Sequence, residues 1–188
     1  FGIIGSFVVV KRMTYIAGAI SHTVLGGIGL ALYAKVVLDI GFLSPIGGAL
    51  CFALIAGVII SVTIIKSKER LDTIIGTIWA IGMSIGLVFM YLTPGYIDPM
   101  SYLFGNILLI SRSNLIIITL LNILIIGISI LFFNQFNTVS FDAEFAQTRG
   151  IKTHVYEVIL ILLIALTVIL MITTVGIVLV IALLTIPP

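Results

Sequence analysis

The 188-residue chain is poor in charge and contains one cysteine. Charged residues make up 9% of it, whereas about a quarter of the residues in a soluble domain are charged. Hydrophobic residues reach 61% and the mean hydropathy is +1.39, which predicts an integral membrane protein. Because Cys51 stands alone in an apolar run, the chain can form neither an internal disulfide framework nor a CxxC metal clip. The net charge of +2 is too small to indicate a nucleic-acid partner.

Catalytic motifs are also lacking. The sequence contains no GxxxxGKS/T phosphate loop, no HExxH metal motif and no Ser/His/Asp set at a usable spacing. We therefore expect no covalent chemistry from this chain, which predicts that it is not an enzyme.

Uncharged apolar runs of about 20 residues have the length that a helix needs to cross the roughly 30 Å hydrocarbon core of a bilayer. Such runs recur along the chain and predict an all-α fold, a polytopic transmembrane helical bundle that forms one domain over 1–188. The chain begins and ends abruptly in apolar sequence, so we expect both ends to be cuts through helices. The predicted spans are 1–10 (partial), 16–34, 46–65, 74–92, 115–133 and 158–186.

The last run is too long for one span. Residues 158–186 would form a straight helix of roughly 43 Å at about 1.5 Å per residue. A break is therefore expected near Gly176, in the sequence ITTVGIV, with a further interruption at Pro187 and Pro188.

Another apolar segment, 102–110, is too short to span. It follows a turn signal made by Pro94, Gly95 and Pro99. It predicts a half-helix or a re-entrant piece, whose backbone must then be covered by protein or by water.

Basic residues fall mainly on one side of the predicted bundle. The other side receives Lys35 and Arg112, together with the acidic loop residues Asp39 and Asp98. Because positive charge favours the cytoplasm, we expect the basic side to be cytoplasmic. That side carries Lys11, Arg12, Lys66, Lys68, Arg70, Arg149 and Lys152.

One histidine lies among glycines in the span 16–34. His22 has Gly18 and Gly26 one helical turn away on either side and Gly29 two turns on, so a face of small residues surrounds an imidazole. Two interpretations stay open at this point. Either the glycines let a neighbouring helix pack closely and His22 is a hydrogen-bonded packing residue, or the imidazole faces a solute path.

The segment 140–154 joins two predicted spans and is expected on the cytoplasmic side. Ser140 or Asp142 could cap a short amphipathic helix, with Glu144 in its first turn and Gly150 as its stop. An ordinary solvated loop is the alternative. If the helix forms, an apolar face that another protein could hold is made by Phe141, Phe145 and Ala146.

Four stretches occur along the chain in this order: KRMTYIAGAISHTVLGGIGLA, MSYLFGNIL, FDAEFAQTRGI and VGIVLVIALLTIPP. Together they resemble the membrane permease of zinc/manganese-type ABC importers, the ABC-3 metal transporter family. The resemblance implies a type II ABC importer permease fold and a homodimer in the cell (plasma or inner) membrane. It also implies cytoplasmic ATPase subunits that bind ATP, an extracytoplasmic metal-binding protein, a transported Zn²⁺ or Mn²⁺ ion and no covalently bound cofactor.

The resemblance also implies roles for particular residues. His22 would be the metal-path residue, with Gly18, Ser21 and Gly26 lining the path around it. Arg12 and Met13 match the basic turn before the histidine helix. The segment from Phe141 to Ile151 matches the loop that couples the permease to its ATPase, which assigns that role to Phe141, Asp142, Glu144, Phe145, Ala146 and Gly150.

Two departures from the family pattern bear on the metal. Gly18 stands where the family usually has an aspartate, so the carboxylate one turn before the imidazole is missing, and Gly26 with Gly27 stand where Pro-Gly is frequent. A nitrogen donor without a carboxylate favours Zn²⁺ over Mn²⁺. A secondary transporter or channel, or a structural membrane subunit in which His22 only packs, stays open as an alternative class.

Overall fold

The computed structural model describes residues 2–41, 43–66, 71–95, 99–105 and 112–186. Within these ranges every regular element is a helix and no strand occurs. Some predicted features lie outside the described residues: Lys68, Arg70, Asp98, Pro187, Pro188, the side chain of Arg112 and the 106–110 end of the predicted half-helix.

The described part of the chain is a bundle of helices that differ widely in length. They are α1 (Gly2–Val10), α2 (Thr14–Val37), α3 (Pro45–Lys66), α4 (Leu71–Leu92), α5 (Pro99–Phe104), α6 (Arg112–Leu131), α7 (Phe133–Phe141), α8 (Ala143–Thr148) and α9 (Thr153–Thr185).

Four of the described helices are long and apolar enough to cross a membrane: α2, α3, α4 and the Thr153–Ile172 part of α9. A fifth crossing is made if α6 and α7 count as one span, with a bend of 66° between them. Large apolar side chains cover the outward surface, for example Ile55, Ile116 and Ile123, which are 55%, 63% and 63% exposed. Such a surface suits a lipid environment and would cause a soluble protein to aggregate. The protein is therefore a multi-pass membrane protein.

The long helix α9 is interrupted at Gly176, whose φ and ψ are 80° and 167°. The short helix α5 packs against α9, and the backbone of Gly105, just after α5, lies against the backbone of Val175 and Gly176. Protein therefore covers the break, which meets the requirement for irregular backbone at membrane depth. The predicted half-helix over 102–110 begins earlier than expected, because α5 starts at Pro99.

Helix α2 lies at the centre of the bundle. In an 18-residue stretch of it that is long enough to cross a membrane, 78% of the residues are buried. It packs against α3, α4 and α9. Glycines let it approach two of these neighbours closely. A Cβ at Gly27 would collide with the carbonyl of Gly48 in α3, and a Cβ at Gly29 would collide with the carbonyl of Gly86 in α4. The helices therefore touch backbone to backbone, as small residues allow in membrane bundles.

An ion pair ties the turn between α1 and α2 to the first turns of α9. Lys11 Nζ lies 2.7 Å from Glu157 Oε1, and the two side chains are only 11% and 18% exposed. His154, one turn before Glu157, places its Nδ1 3.9 Å from the other carboxylate oxygen but is 53% exposed. The pair therefore joins two elements that are far apart in the chain.

Removing one member of this pair is expected to destabilise the protein more than removing both. Lys11→Met leaves a mostly buried carboxylate without its cation, at a cost of about 2 kcal/mol. The double variant Lys11→Met with Glu157→Leu leaves no unpaired charge and should recover much of that loss. Thermal melting in detergent measures both, with the exposed His154→Gln as the control for a small effect. A double variant that melts below Lys11→Met would contradict the expectation.

Candidate functional site

His22 lies at the contact between α2 and α4, where its imidazole stacks on the indole of Trp79. The ring centroids are 4.5 Å apart and the ring planes differ by 19°. His22 is half-buried, and its Nδ1 is buried without a hydrogen-bond partner among the described residues. A buried polar atom without a partner is unfavourable, so the packing interpretation as stated, a hydrogen-bonded histidine, lacks its hydrogen bond at Nδ1.

The absence of a side chain at position 18 is what lets Trp79 lie there. A Cβ built on Gly18 would be 3.0 Å from Cζ3 and 3.3 Å from Cη2 of the indole. The ring edge of Trp79 therefore fills the space that the first atoms of any larger side chain at this position would enter. The glycine stands out in the sequence, but its contact with the indole does not. The available signal was that Trp79 is the single tryptophan of the chain, but nothing in the sequence pairs it with Gly18.

The other predicted path residues are buried in helix contacts. Ser21 is 0% exposed, and its hydroxyl donates a hydrogen bond of 2.8 Å to the carbonyl of Ala17 in its own helix. Gly26 is buried, and a Cβ on it would be 2.6 Å from the carbonyl oxygen of Gly82. In this conformation Gly18, Ser21 and Gly26 are buried within the bundle, and their role in lining the metal path stays a prediction.

The described residues do not form a complete metal cage. Among them, no group of three or more histidine, cysteine, aspartate or glutamate side chains is close enough to hold one ion. In the described part of the chain, His22 therefore has at most one further side chain of these types close enough to share an ion. A sparse donor set is compatible with an ion that must leave as readily as it binds.

The segment 140–154 contains the short helix that its sequence pattern predicts. Asp142 caps α8, with its Oδ1 accepting a hydrogen bond of 2.8 Å from the backbone N–H of Phe145. At the other end, Gly150 has a φ of 77°, and its N–H donates to the carbonyl of Gln147 while the N–H of Ile151 donates to that of Ala146. These two bonds form the glycine-terminated helix end known as a Schellman motif.

The exposed face of this segment differs from the predicted one by a single residue. Phe141 and Phe145 are 80% and 48% exposed, whereas Ala146 is 0% exposed. Ala146 therefore faces the protein itself, since α8 packs on α7 and α9, and it does not belong to a face that a partner could hold. The guanidinium of Arg149 lies 5.1 Å from the ring centroid of Phe145 and adds a cation to the exposed face.

A hydrogen bond fastens the segment to α9. Gln147 Nε2 donates to Thr153 Oγ1 over 3.1 Å, and Thr153 begins the helix that carries Glu157. From Glu157 the ion pair reaches Lys11 and hence the turn into α2. Two polar contacts, one at each end of the first turns of α9, therefore link the exposed short helix to the turn that precedes α2.

Comparison with known proteins places these features in a family. The model of the ABC 3 transport family matches residues 1–188. The chain is 40% identical over 187 residues to an uncharacterized membrane protein of Synechocystis sp., and 30% identical over 186 residues to the manganese transport system membrane protein MntC of Listeria innocua, covering 99% of this chain and 64% of the relative in both cases. The chain thus spans less than two thirds of the length of these relatives.

A solved structure shares the fold. PsaBC from Streptococcus pneumoniae, in complex with Fab, superposes with a TM-score of 0.79 at 29% identity, over 98% of this chain and 64% of that chain. Since the family model covers every residue and the helical arrangement agrees with that of a solved structure, this chain belongs to the ABC 3 transport family.

Proposed function

We propose that this chain is the membrane-spanning subunit of an ATP-driven importer of a divalent transition metal ion. Membership of the ABC 3 transport family and the name of the Listeria innocua relative, a manganese transport system membrane protein, support a metal cargo. The observation that carries the proposal to particular residues is the imidazole of His22, half-buried within the bundle with a free nitrogen. An ionisable group at membrane depth with an unpaired ring nitrogen is a marker of a transport path.

Of the two cargo ions that the resemblance implies, the proposal favours zinc. The donor on α2 is a nitrogen, and the space beside Gly18 that a carboxylate could use is filled by the indole of Trp79. Imidazole suits Zn²⁺, whereas Mn²⁺ prefers carboxylate and other oxygen donors. The manganese in the name of the Listeria innocua relative points the other way, so the uptake experiment below compares the two ions directly.

The partner ATPase would dock on the exposed side of α8. Phe145 on α8 is exposed, Arg149 follows the helix and lies over the ring of Phe145, and the exposed Phe141 ends α7 just before the cap. Aromatic anchors of this kind dominate the binding energy of interfaces. Docking there would move Gln147 and Thr153, and through Glu157 and Lys11 it would act on the turn into α2. A second copy of the chain would complete the passage, and an extracytoplasmic binding protein would deliver the ion.

His22→Ala is expected to lower metal uptake about 10- to 100-fold or more, because even supporting residues around a metal site carry effects of that size. The measurement is uptake of radioactive zinc and of radioactive manganese by cells that carry the full transporter. Co-purification of the ATPase checks that the complex still assembles. Ser61→Ala in α3 is the matched control, since its buried hydroxyl bonds only to the carbonyl of Gly57 in its own helix. Unchanged uptake by an assembled His22→Ala transporter would contradict the proposal.

Phe145→Asp is expected to weaken ATPase binding about 30-fold, because it replaces an exposed aromatic anchor with a charge. The affinity of the purified full-length permease for the ATPase in nanodiscs measures the effect. Thr148→Ala, on the same helix, is the control, because its hydroxyl bonds to the carbonyl of Phe145 and not to a neighbour. Equal affinities for Phe145→Asp and the wild type would show that the ATPase docks elsewhere.

A further inference from the structure

We infer that Trp79 is a gate over the imidazole of His22, and that a metal ion gains access to this donor only when the indole moves aside. The inference rests on the proposed function, since it concerns the same site. The two rings overlap face to face, with centroids 4.5 Å apart and planes 19° from parallel. One face of the imidazole is thereby covered by the indole.

The unpaired nitrogen separates this stack from ordinary packing. Hydroxyl groups beside His22 on the same helix find a partner one turn back, as Ser21 does with the carbonyl of Ala17 and Thr23 with that of Ala19, each over 2.8 Å. Nδ1 of His22 is buried beside these groups and has no partner among the described residues. A group placed only to hold two helices together would leave no such penalty. A donor that binds its ligand only transiently would have such an unpaired nitrogen while the ligand is absent.

The indole is held loosely enough to move. Trp79 is 37% exposed, so the bundle encloses it only in part. An aromatic stack of this kind shifts an equilibrium by a factor of about 2 to 10. Opening the stack is therefore a small step compared with rearranging the backbone contacts of α2 and α4.

Open space lies next to Trp79 on its own helix. Gly76 is one turn before Trp79 in α4, it is exposed, and no atom lies within 4 Å of the position of a Cβ built on it. Helical side chains point back towards the preceding turn. The position above Gly76 can therefore receive the indole when it leaves His22. The gate has two positions, one over Gly18 and His22 and one over Gly76.

The gate lowers the apparent affinity for every ion by the same factor, because only the open fraction can bind. It does not by itself choose between zinc and manganese. Trp79→Ala is expected to tighten zinc binding about 2- to 10-fold, and manganese binding by the same factor. Trp79→Phe retains a stacking ring and should stay nearer the wild type.

The first test needs no metal. In the full-length permease in nanodiscs, with every tryptophan other than Trp79 replaced by phenylalanine, the decay of Trp79 emission should contain a quenched stacked component and a longer-lived open component. Gly76→Leu fills the receiving space and should remove the open component, while His22→Ala should remove the stacked one. A single lifetime, unchanged by both substitutions, would overturn the gate whatever the cargo is.

The second test uses zinc chloride and manganese chloride as the probes. Binding isotherms are compared for the wild type, Trp79→Ala, Gly76→Leu and the double variant. Gly76→Leu should weaken binding when Trp79 is present and have no effect in the Trp79→Ala background. Weaker binding by Trp79→Ala would show that the indole supports the site and does not gate it. If neither ion binds or is transported by the wild type, the proposed function fails, and the lifetimes still decide whether the gate exists.

Discussion

Gly176→Ala is expected to prevent the accumulation of folded protein. The φ of 80° and ψ of 167° at this residue lie in a region that is essentially restricted to glycine, and forcing a side chain there costs about 1–3 kcal/mol. The new Cβ would also collide with the backbone N of Gly105 and lie 2.5 Å from the carbonyl carbon of Phe104. Overpacking costs about another 1–3 kcal/mol, and here the obstacle is backbone that cannot rotate away.

The effect can be measured as the yield of monodisperse protein after gel filtration in detergent, and as its melting temperature. Gly150→Ala is the matched control, because Gly150 also has a positive φ, 77°, and has no atom within 4 Å of the added Cβ. It should lose only the backbone contribution, about 1–2 kcal/mol. If Gly176→Ala proved as stable as Gly150→Ala, the close contact between α5 and the break in α9 would be absent from the protein.

The helical membrane architecture could be predicted from the sequence because lipid imposes a simple rule on length and polarity. The local pattern around α8 could also be predicted, since a cap, a short apolar face and a glycine stop act within a few residues of one another. Asp142 and Gly150 take the positions that these rules give them. The break near Gly176 follows from excess length, but its packing against Gly105 does not, because no local signal pairs two distant glycines.

Contacts between helices could not be predicted from the sequence. Ala146 belongs to an apolar face by periodicity, yet the packing of α8 on α7 and α9 buries it, which only the fold determines. The 66° bend between α6 and α7 could not be predicted either, because the residue at the bend is Phe132 and not a proline or a glycine. At the candidate site, the glycines around His22 indicated that a neighbouring helix packs closely. That the neighbour is Trp79 depends on how α2 and α4 cross, which the sequence does not reveal.

The backbone contact that holds α2 against α4 also positions the candidate site. A valine at position 29 would drive its Cβ into the carbonyl of Gly86 and to within 2.9 Å of the Cα of that residue. Because the obstacle is the backbone of α4, relief requires the two helices to separate. Gly29 lies on the same helix as His22, two turns away, and Gly86 lies two turns beyond Trp79 on α4, so a separation there spreads the ring stack as well.

Gly29→Val is therefore expected to lower the free energy of unfolding by about 3 kcal/mol or more and to abolish the stacked component of Trp79 emission in any folded protein that remains. Melting in detergent and emission lifetimes measure the two effects. Gly76→Ala, on α4 with no atom within 4 Å of its new Cβ, is the control, and it should be neutral or stabilise the helix by up to about 1 kcal/mol. A Gly29→Val protein that melts normally and keeps its ring stack would show that α2 and α4 do not meet at these glycines. In that case some contact other than that between Gly29 and Gly86 would hold His22 and Trp79 face to face.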